Sequence, residues 1–309
     1  MRSEVGFLIR GLLAYLPWYH RRLLRRARTG GTDSARYCYS VWLRHLTKLG
    51  QNGWSGAVES VAELGPGDSI GVGLAALLCG ARRYVALDIF PYSERARWLR
   101  ILDELVPLFE NRAPIPDETE LPAVWPRLES YAYPEAYLPS VDVEPSRIAR
   151  LREEISGPHS TTIRYICPWF EAAQVERDSV DLILSQAVME HVTDLDAAYR
   201  AMWAWLRPGG FCSHVVDLRS HGVSDAWNGH WRYPEALWRF AVARREFTMN
   251  RMPLSAHLGC IERAGLQVVH CEVDVRRDGL PRKALARAFR GLSEEDLSTS
   301  GVHLILRKP

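Results

Sequence analysis

Residues 57–88, AVESVAELGPGDSIGVGLAALLCGARRYVALD, restrict the folds open to this chain more than any other stretch. An apolar run over 58–64 ends in an acid and a glycine turn, a helical apolar stretch follows over 72–79, and a second apolar run over 84–87 stops at Asp88. This succession predicts a strand, a tight turn, a helix and a second strand, with an acid at each strand end. Such a unit opens a nucleotide-binding α/β domain.

Glycine spacing separates the cofactors such a domain takes. A dinucleotide turn reads G-x-G-x-x-G, and its third glycine lets the helix pack on the strand. Here Gly65 and Gly67 are in place, but Ile70 holds the third position and glycine returns only at Gly71 and Gly73. That disfavours a nicotinamide oxidoreductase. Gly65 and Gly67 let the backbone approach a ligand without a Cβ clash. Asp88 stands about twenty residues beyond the turn, where an acid accepts hydrogen bonds from ribose hydroxyls. With Glu63 ahead of it, E-L-G-P-G-D-S-I-G resembles motif I of the class I S-adenosylmethionine-dependent methyltransferases. A sulfonium ligand brings no pyrophosphate, so a helix N-terminus shaped to hold one is less needed.

A second block, residues 178–218, carries the rest of the likeness. Residues 179–185 (SVDLILS) read as a central strand, apolar on both faces. A helix over 195–206 begins at Thr193 or Asp194, stops at R-P-G-G (207–210), and leads to a strand over 211–218. The order S-V-D-L-I-L-S, E-H-V, L-R-P-G-G resembles the small-molecule methyltransferases of the type-11 methyltransferase domain, over about residues 55–220. The resemblance implies an α/β, Rossmann-like, doubly wound seven-stranded sheet in the order 3-2-1-4-5-7-6 with an antiparallel last strand. It also implies S-adenosyl-L-methionine as cofactor, with Gly65, Gly67 and Asp88 as its contacts, together with Glu63 and Gln186. The family usually places an acid after the third strand (161–167) to bond the adenine amino group. This chain has Cys167, Pro168 and Trp169 there, which leaves Trp169 as the candidate for stacking.

At 309 residues the chain suits one large domain with additions: a basic amphipathic helix and a cap helix over 1–54, then a methyltransferase domain over 55–309. Charge is uneven. Residues 1–30 hold seven arginines against Glu4, although the whole chain carries only +2, so the main body is no nucleic-acid binder by charge. Val5, Leu8, Ile9, Leu12, Leu13 and Leu16 recur at helical spacing, so residues 1–28 read either as an arm packed on the domain or as a peripheral contact with an anionic membrane. Arg10 and the lack of an A-x-A-like site argue against a signal peptide. No uninterrupted apolar run of eighteen residues predicts a membrane span. The six cysteines form no C-x-x-C pair, which points to a reducing, cytoplasmic setting. On the second helical segment, before Gly50, Tyr37, Trp42 and His45 are candidates for ligand contact or for packing.

Residues 107–158 hold nine of the eighteen prolines and ten acids against five arginines, an insertion that reads as a lid with a short helix over 147–155. Tyr131, Tyr133 and Tyr137 in it face either a substrate or solvent. Beyond the fifth strand, DLRSHGVSDAWNGHWRYPEALWRF places Asp217, Trp227, Asn228 and Trp231 as candidate acceptor contacts, because aromatic faces beside amide and imidazole groups suit a polyhydroxylated ring. His221, His230 and His191 are the candidate general bases for a hydroxyl acceptor. Helices over 253–265 and 282–292 and strands over 266–275 and 302–307 complete the chain. No metal is implied, since no His, Cys, Asp or Glu cluster shows ligand spacing. The expected activity is methyl transfer to a small molecule, O-methylation of a sugar or natural-product hydroxyl. The rivals are a lipid-linked or quinone acceptor at a membrane surface and a non-catalytic, methyltransferase-like binding subunit.

Overall fold

The computed structural model describes residues 2–16, 30–55, 58–138, 140–157, 160–169, 171–242 and 248–309. In chain order the elements are α1 (Arg2–Leu13), α2 (Ala35–Gln51), β1 (Ser60–Leu64), α3 (Gly71–Leu78), β2 (Arg83–Leu87), α4 (Arg95–Glu110), α5 (Pro145–Ser156), β3 (Ile163–Ile166), β4 (Val180–Gln186), α6 (Leu195–Trp205), β5 (Leu206–Asp217), α7 (Glu235–Val242), α8 (Leu254–Ala264), β6 (Gln267–Val275), α9 (Glu294–Ser298) and β7 (Thr299–Arg307). The strands form one sheet in the order β3-β2-β1-β4-β5-β7-β6. β1 to β5 run parallel, and β7 is antiparallel to both β5 and β6. This is the predicted order.

Alternation along the strands splits the core into two layers. Val61, Tyr84, Leu182 and Leu184 face α2, α3, α4 and α5. Ala62, Leu64, Leu87 and Ile183 face α6 and α8. Strands buried on both faces explain why β1 and β4 are mainly apolar without alternating. Asp194 caps α6, accepting from the Ala197 amide at 2.8 Å, and Gly265 ends α8 with φ +81°. That left-handed cap is cheap only for glycine.

The insertion folds onto α2. Arg44 is fully buried there; Nη1 donates to the carbonyls of Pro126 at 2.7 Å and Val124 at 3.3 Å, Nη2 to that of Pro116 at 2.7 Å, and Nε to Ser40 Oγ at 3.0 Å. The expected lid is thus tied to the outer face of α2 by a residue that composition gave no reason to notice. Tyr131, Tyr133 and Tyr137 pack inward against the same layer, and Gly50 lets the Tyr137 ring approach, since a Cβ there would lie 2.2 Å from Cδ1.

One expectation needs correction. The helix predicted over 282–292 is a pair of short 3-10 turns, Arg282–Ala284 and Arg287–Phe289. The Arg282 guanidinium donates to the carbonyls of Arg290 and Leu292 at 2.6 Å each, and the Ala286 amide donates to Trp231 O at 2.9 Å. Tertiary partners thereby replace the i to i−4 bonds of a helix. Among the described residues of the amphipathic N-terminal stretch, Arg2–Leu13 is helical and packs on α7, with Phe7 buried against Tyr233 and Trp238. Arg21, Arg22, Arg25, Arg26 and Arg28 lie outside the described residues. Among the described residues no helix is long and apolar enough to cross a membrane.

Candidate active site

The turn after β1 meets the end of β2 at the carboxyl edge of the sheet, where ligands bind in doubly wound folds. Gly65 and Gly67 take φ +64° and +71°, and the Gly65 amide donates to Leu87 O at 2.8 Å. A Cβ on Gly65 would lie 2.6 Å from Val188 Cγ2, so the loop after β4 also demands glycine here. Asp88 is buried; Oδ1 accepts from the Ile89 amide at 2.7 Å and the Phe90 amide at 3.3 Å, and Oδ2 accepts from the Gly67 amide at 3.3 Å. Burial raises its pKa, and those three amides offset part of the rise. A carboxylate has about four acceptor positions, so Asp88 keeps capacity for ribose hydroxyls beside a backbone without Cβ atoms. These residues fit the cofactor that motif I implies.

Glu63 lies on the α2 side of β1. Its carboxyl accepts from the Tyr84 hydroxyl, and burial pushes its pKa up to about 8. Its oxygens are therefore engaged with the chain's own groups. Trp169 sits beside Asp88, its amide donating to Asp88 O at 3.0 Å, while its ring meets the edge of Trp205 at 5.6 Å. Gln186 ends β4 but turns to α2: its Oε1 lies 3.0 Å from His45 Nε2, and its Nε2 donates to Trp125 O at 3.0 Å. His45 continues the chain through Ser213 Oγ at 2.7 Å to His303 Nε2 at 2.9 Å. This buried polar line clasps α2, β4, β5 and β7. Burial pushes the His45 pKa down to about 4, so the line is neutral.

Beyond β4 and β5 the loops converge. Glu190 and His191 sit on a 3-10 turn, Met189–His191, which Asn250 holds by donating to the carbonyls of Met189 at 2.8 Å and Val192 at 2.9 Å. The His191 and His221 rings stand edge to face at 5.2 Å. Glu190 Oε1 lies 4.0 Å from His191 Nε2 and 3.9 Å from His221 Nε2. The carboxyl is buried, neither oxygen reaches a full hydrogen bond, and burial lifts its pKa well above the usual range, offset in part by the nearby backbone amides of Glu190 and Asp217. His221 itself adopts φ +47°, unusual for a residue with a side chain. Asp217, at the end of β5, is held by Arg219 through Nε at 2.8 Å and Nη2 at 2.7 Å, and its Oδ2 lies 3.7 Å from His221 Nε2. Tyr37 on α2 is partly buried with its ring beside Gly31, where a Cβ would lie 3.2 Å from Cδ2.

The W-N-G-H-W loop has a different task. Trp231 is fully buried and donates to Arg251 O at 2.9 Å; Asn228 donates to Leu280 O at 3.2 Å and accepts from the Leu280 amide at 2.7 Å. Trp227 packs with Trp231 and Leu285. Gly279 permits this closeness, since a Cβ would lie 2.7 Å from both Trp227 Nε1 and Asn228 Nδ2. His230 is buried against Trp231, and burial pushes its pKa down to about 3. Of the three candidate bases, the fold therefore pairs His191 with His221 and walls off His230. It also brings together Glu190, His191 and His221, a group with metal-ligand geometry that linear spacing did not reveal.

Residues 126–213 match the model of the methyltransferase domain family. No curated protein matches the chain. Among solved structures, an S-adenosylmethionine-dependent methyltransferase from Mesorhizobium loti shares 15% identity over 82% of this chain and 91% of that one, with a TM-score of 0.39. A methyltransferase from Methanosarcina mazei shares 10% over 84% and 96%, at 0.43. Geranyl diphosphate C-methyltransferase from Streptomyces coelicolor, solved with Mg2+, geranyl diphosphate and S-adenosyl-L-homocysteine, shares 12% over 85% and 78%, at 0.44. The matched segment carries β4 and enters β5, and the whole sheet around it has the strand order expected of a class I S-adenosylmethionine-dependent methyltransferase.

Proposed function

We propose that the chain methylates a hydroxyl of a small molecule of the sugar or natural-product type. The observation that carries this reading is that Glu190, His191, Asp217 and His221 gather at the carboxyl ends of β4 and β5, beside the glycine turn that ends β1, where Gly65 meets Val188. Gly65, Gly67 and Asp88 hold the cofactor, which when bound supplies an activated methyl group on a sulfonium sulfur. His221, at 31% side-chain exposure the most accessible imidazole of the cluster, takes the acceptor's hydroxyl proton, and Asp217 orients it. Placing the two reactants is the larger part of the catalysis, because the methyl group is already activated. Since Trp231 and Asn228 are committed to internal bonds, the acceptor is recognised through carboxylate and imidazole groups more than through an aromatic platform.

Release of S-adenosylhomocysteine from a panel of hydroxylated acceptors tests the reading. With an acceptor in hand, His221→Ala should lower turnover by roughly 100-fold, as loss of a positioned base does, while S-adenosylhomocysteine affinity stays within about twofold. His230→Ala should act through stability instead. Turnover unchanged in His221→Ala would remove it from the proton step.

One observation favours a membrane-surface acceptor as a second reading. On the paired α1 and α7, Val5, Ile9, Leu12 and Phe240 are exposed at 54, 51, 59 and 44%, next in sequence to five arginines between residues 21 and 28. An apolar face followed by cations suits an anionic bilayer. The full chain should sediment with phosphatidylglycerol vesicles, and the double substitution Ile9→Ser, Leu12→Ser should weaken that by about tenfold or more, each side chain contributing ~1 kcal/mol or more. Equal sedimentation would end this reading.

A further inference from the structure

We propose that Glu190, His191 and His221 form a binding site for a divalent transition-metal ion of the zinc type. The ligand atoms lie within 4.8 Å of one another. Two imidazoles and one carboxylate are the donor set of open, catalytic zinc centres. At metal–ligand distances of about 2.0–2.1 Å, neighbouring ligand atoms stand roughly 3.4 Å apart. The 3.9 and 4.0 Å from Glu190 Oε1 to the two Nε2 atoms therefore need to close by about half an ångström.

The independent observation is the carboxyl itself. Glu190 is 1% exposed, neither oxygen reaches a full hydrogen bond although the backbone amides of Glu190 and Asp217 lie near enough to favour its charged form, and Oε1 lies 4.0 and 3.9 Å from the two imidazoles. A buried acceptor without a donor costs about 1–3 kcal/mol, and more when charged, so such a group calls for a partner from outside the chain. A cation supplies one. Asp217, fixed by Arg219, stands 3.7 Å from His221 Nε2 and adds a second carboxylate beside the site, while the backbone at Thr248 meets the His191 ring. Outer partners of this kind orient metal-binding imidazoles. His221 Nε2 now lies 3.2 Å from Asp217 O, so metal entry exchanges that contact for a ligand bond. The strained backbone at His221 keeps the ring at the site.

This inference rests on the methyl-transfer reading for its role. An ion seated there would take His221 as a ligand and would acidify a nearby acceptor hydroxyl, so that its proton would pass to solvent in the metal-bound protein and to His221 only in the metal-free one. No oxidant or reductant is required. Chelator-treated full-length protein is titrated with CoCl2, following visible d–d absorption, with ZnCl2 as competitor. One equivalent of cobalt should develop the bands. Glu190→Gln and His221→Ala should each weaken binding by about 100-fold or more, since loss of even an outer-shell partner costs 10–100-fold. His270→Gln, in the other clustered group of His270, Glu272 and His303, should leave the bands unchanged; there Lys48 already pairs with Glu272 at 2.6 Å. Absence of cobalt bands, or bands that persist in both Glu190→Gln and His221→Ala, overturns the site. Calorimetry with S-adenosylhomocysteine on the same samples keeps the readings apart: cofactor binding with no cobalt signal sinks the metal alone, and lost cofactor binding sinks the methyl-transfer assignment.

Discussion

Asp88→Ala should weaken S-adenosylhomocysteine binding by about 100-fold or more, read by calorimetry. Hydrogen bonds to a charged group contribute about 1.5–3 kcal/mol each, so two ribose hydroxyls on one carboxylate account for ~3 kcal/mol or more, and 1.4 kcal/mol is a factor of ten. The substitution also removes the acceptor for the amides of Gly67, Ile89 and Phe90, so the turn loses its link to β2 at the moment it loses its ligand contact. Asp88→Asn separates these effects. It keeps one oxygen for the local amides but presents an NH2 donor where a ribose hydroxyl must donate, so it should retain the fold and still lose most of the affinity. A change in affinity below about threefold in both variants would remove Asp88 from the cofactor site. Thermal melts without ligand serve as the check on folding.

Arg44→Ala should be the most destabilising single change outside the glycine turn. The guanidinium serves the carbonyls of Pro116, Val124 and Pro126 and the Ser40 hydroxyl from a fully buried position, lies 4.9 Å over the Tyr131 ring and is 3.7 Å from Glu118. Alanine leaves several buried carbonyls without donors as well as a cavity. A loss of about 3–5 kcal/mol is expected, as when one partner of a buried charged network is removed. Arg44→Lys should recover less than half of it, because a single ammonium cannot reproduce the planar fork. Limited proteolysis should cut within residues 111–144 of the Arg44→Ala protein before the sheet domain unfolds. Unchanged melting and an intact insertion would show that the segment is held by other contacts.

What linear sequence could reveal here depends on whether a feature is local. The E-L-G-P-G turn and Asp88 are local or nearly so: positive φ at Gly65 and Gly67 follows from glycine chemistry, and parallel pairing of β1 with β2 follows from two apolar runs joined by a helix. The whole strand order was legible once the S-V-D-L-I-L-S and R-P-G-G segments supplied the second half of the sheet. The W-N-G-H-W loop misled for the same reason. Its composition suits a ligand wall, but whether an indole faces a ligand or the chain's own C-terminal segment is decided by residues about fifty positions away, Gly279, Leu280 and Leu285.

By itself the sequence determined the sheet and the glycine turn, because strand runs, glycine conformations and caps are set by residues close together in the chain. Only the tertiary structure decided how the loops beyond β4 and β5 are built. Glu190 and His191 meet His221 across thirty residues because β4 and β5 are adjacent and parallel, so the loops at their carboxyl ends must converge. Arg44 meets Pro126 across eighty-two residues because the insertion returns over α2. Neither pairing leaves a periodicity or a spacing to read, since through-space contact between loops carries no signature in the chain that forms it.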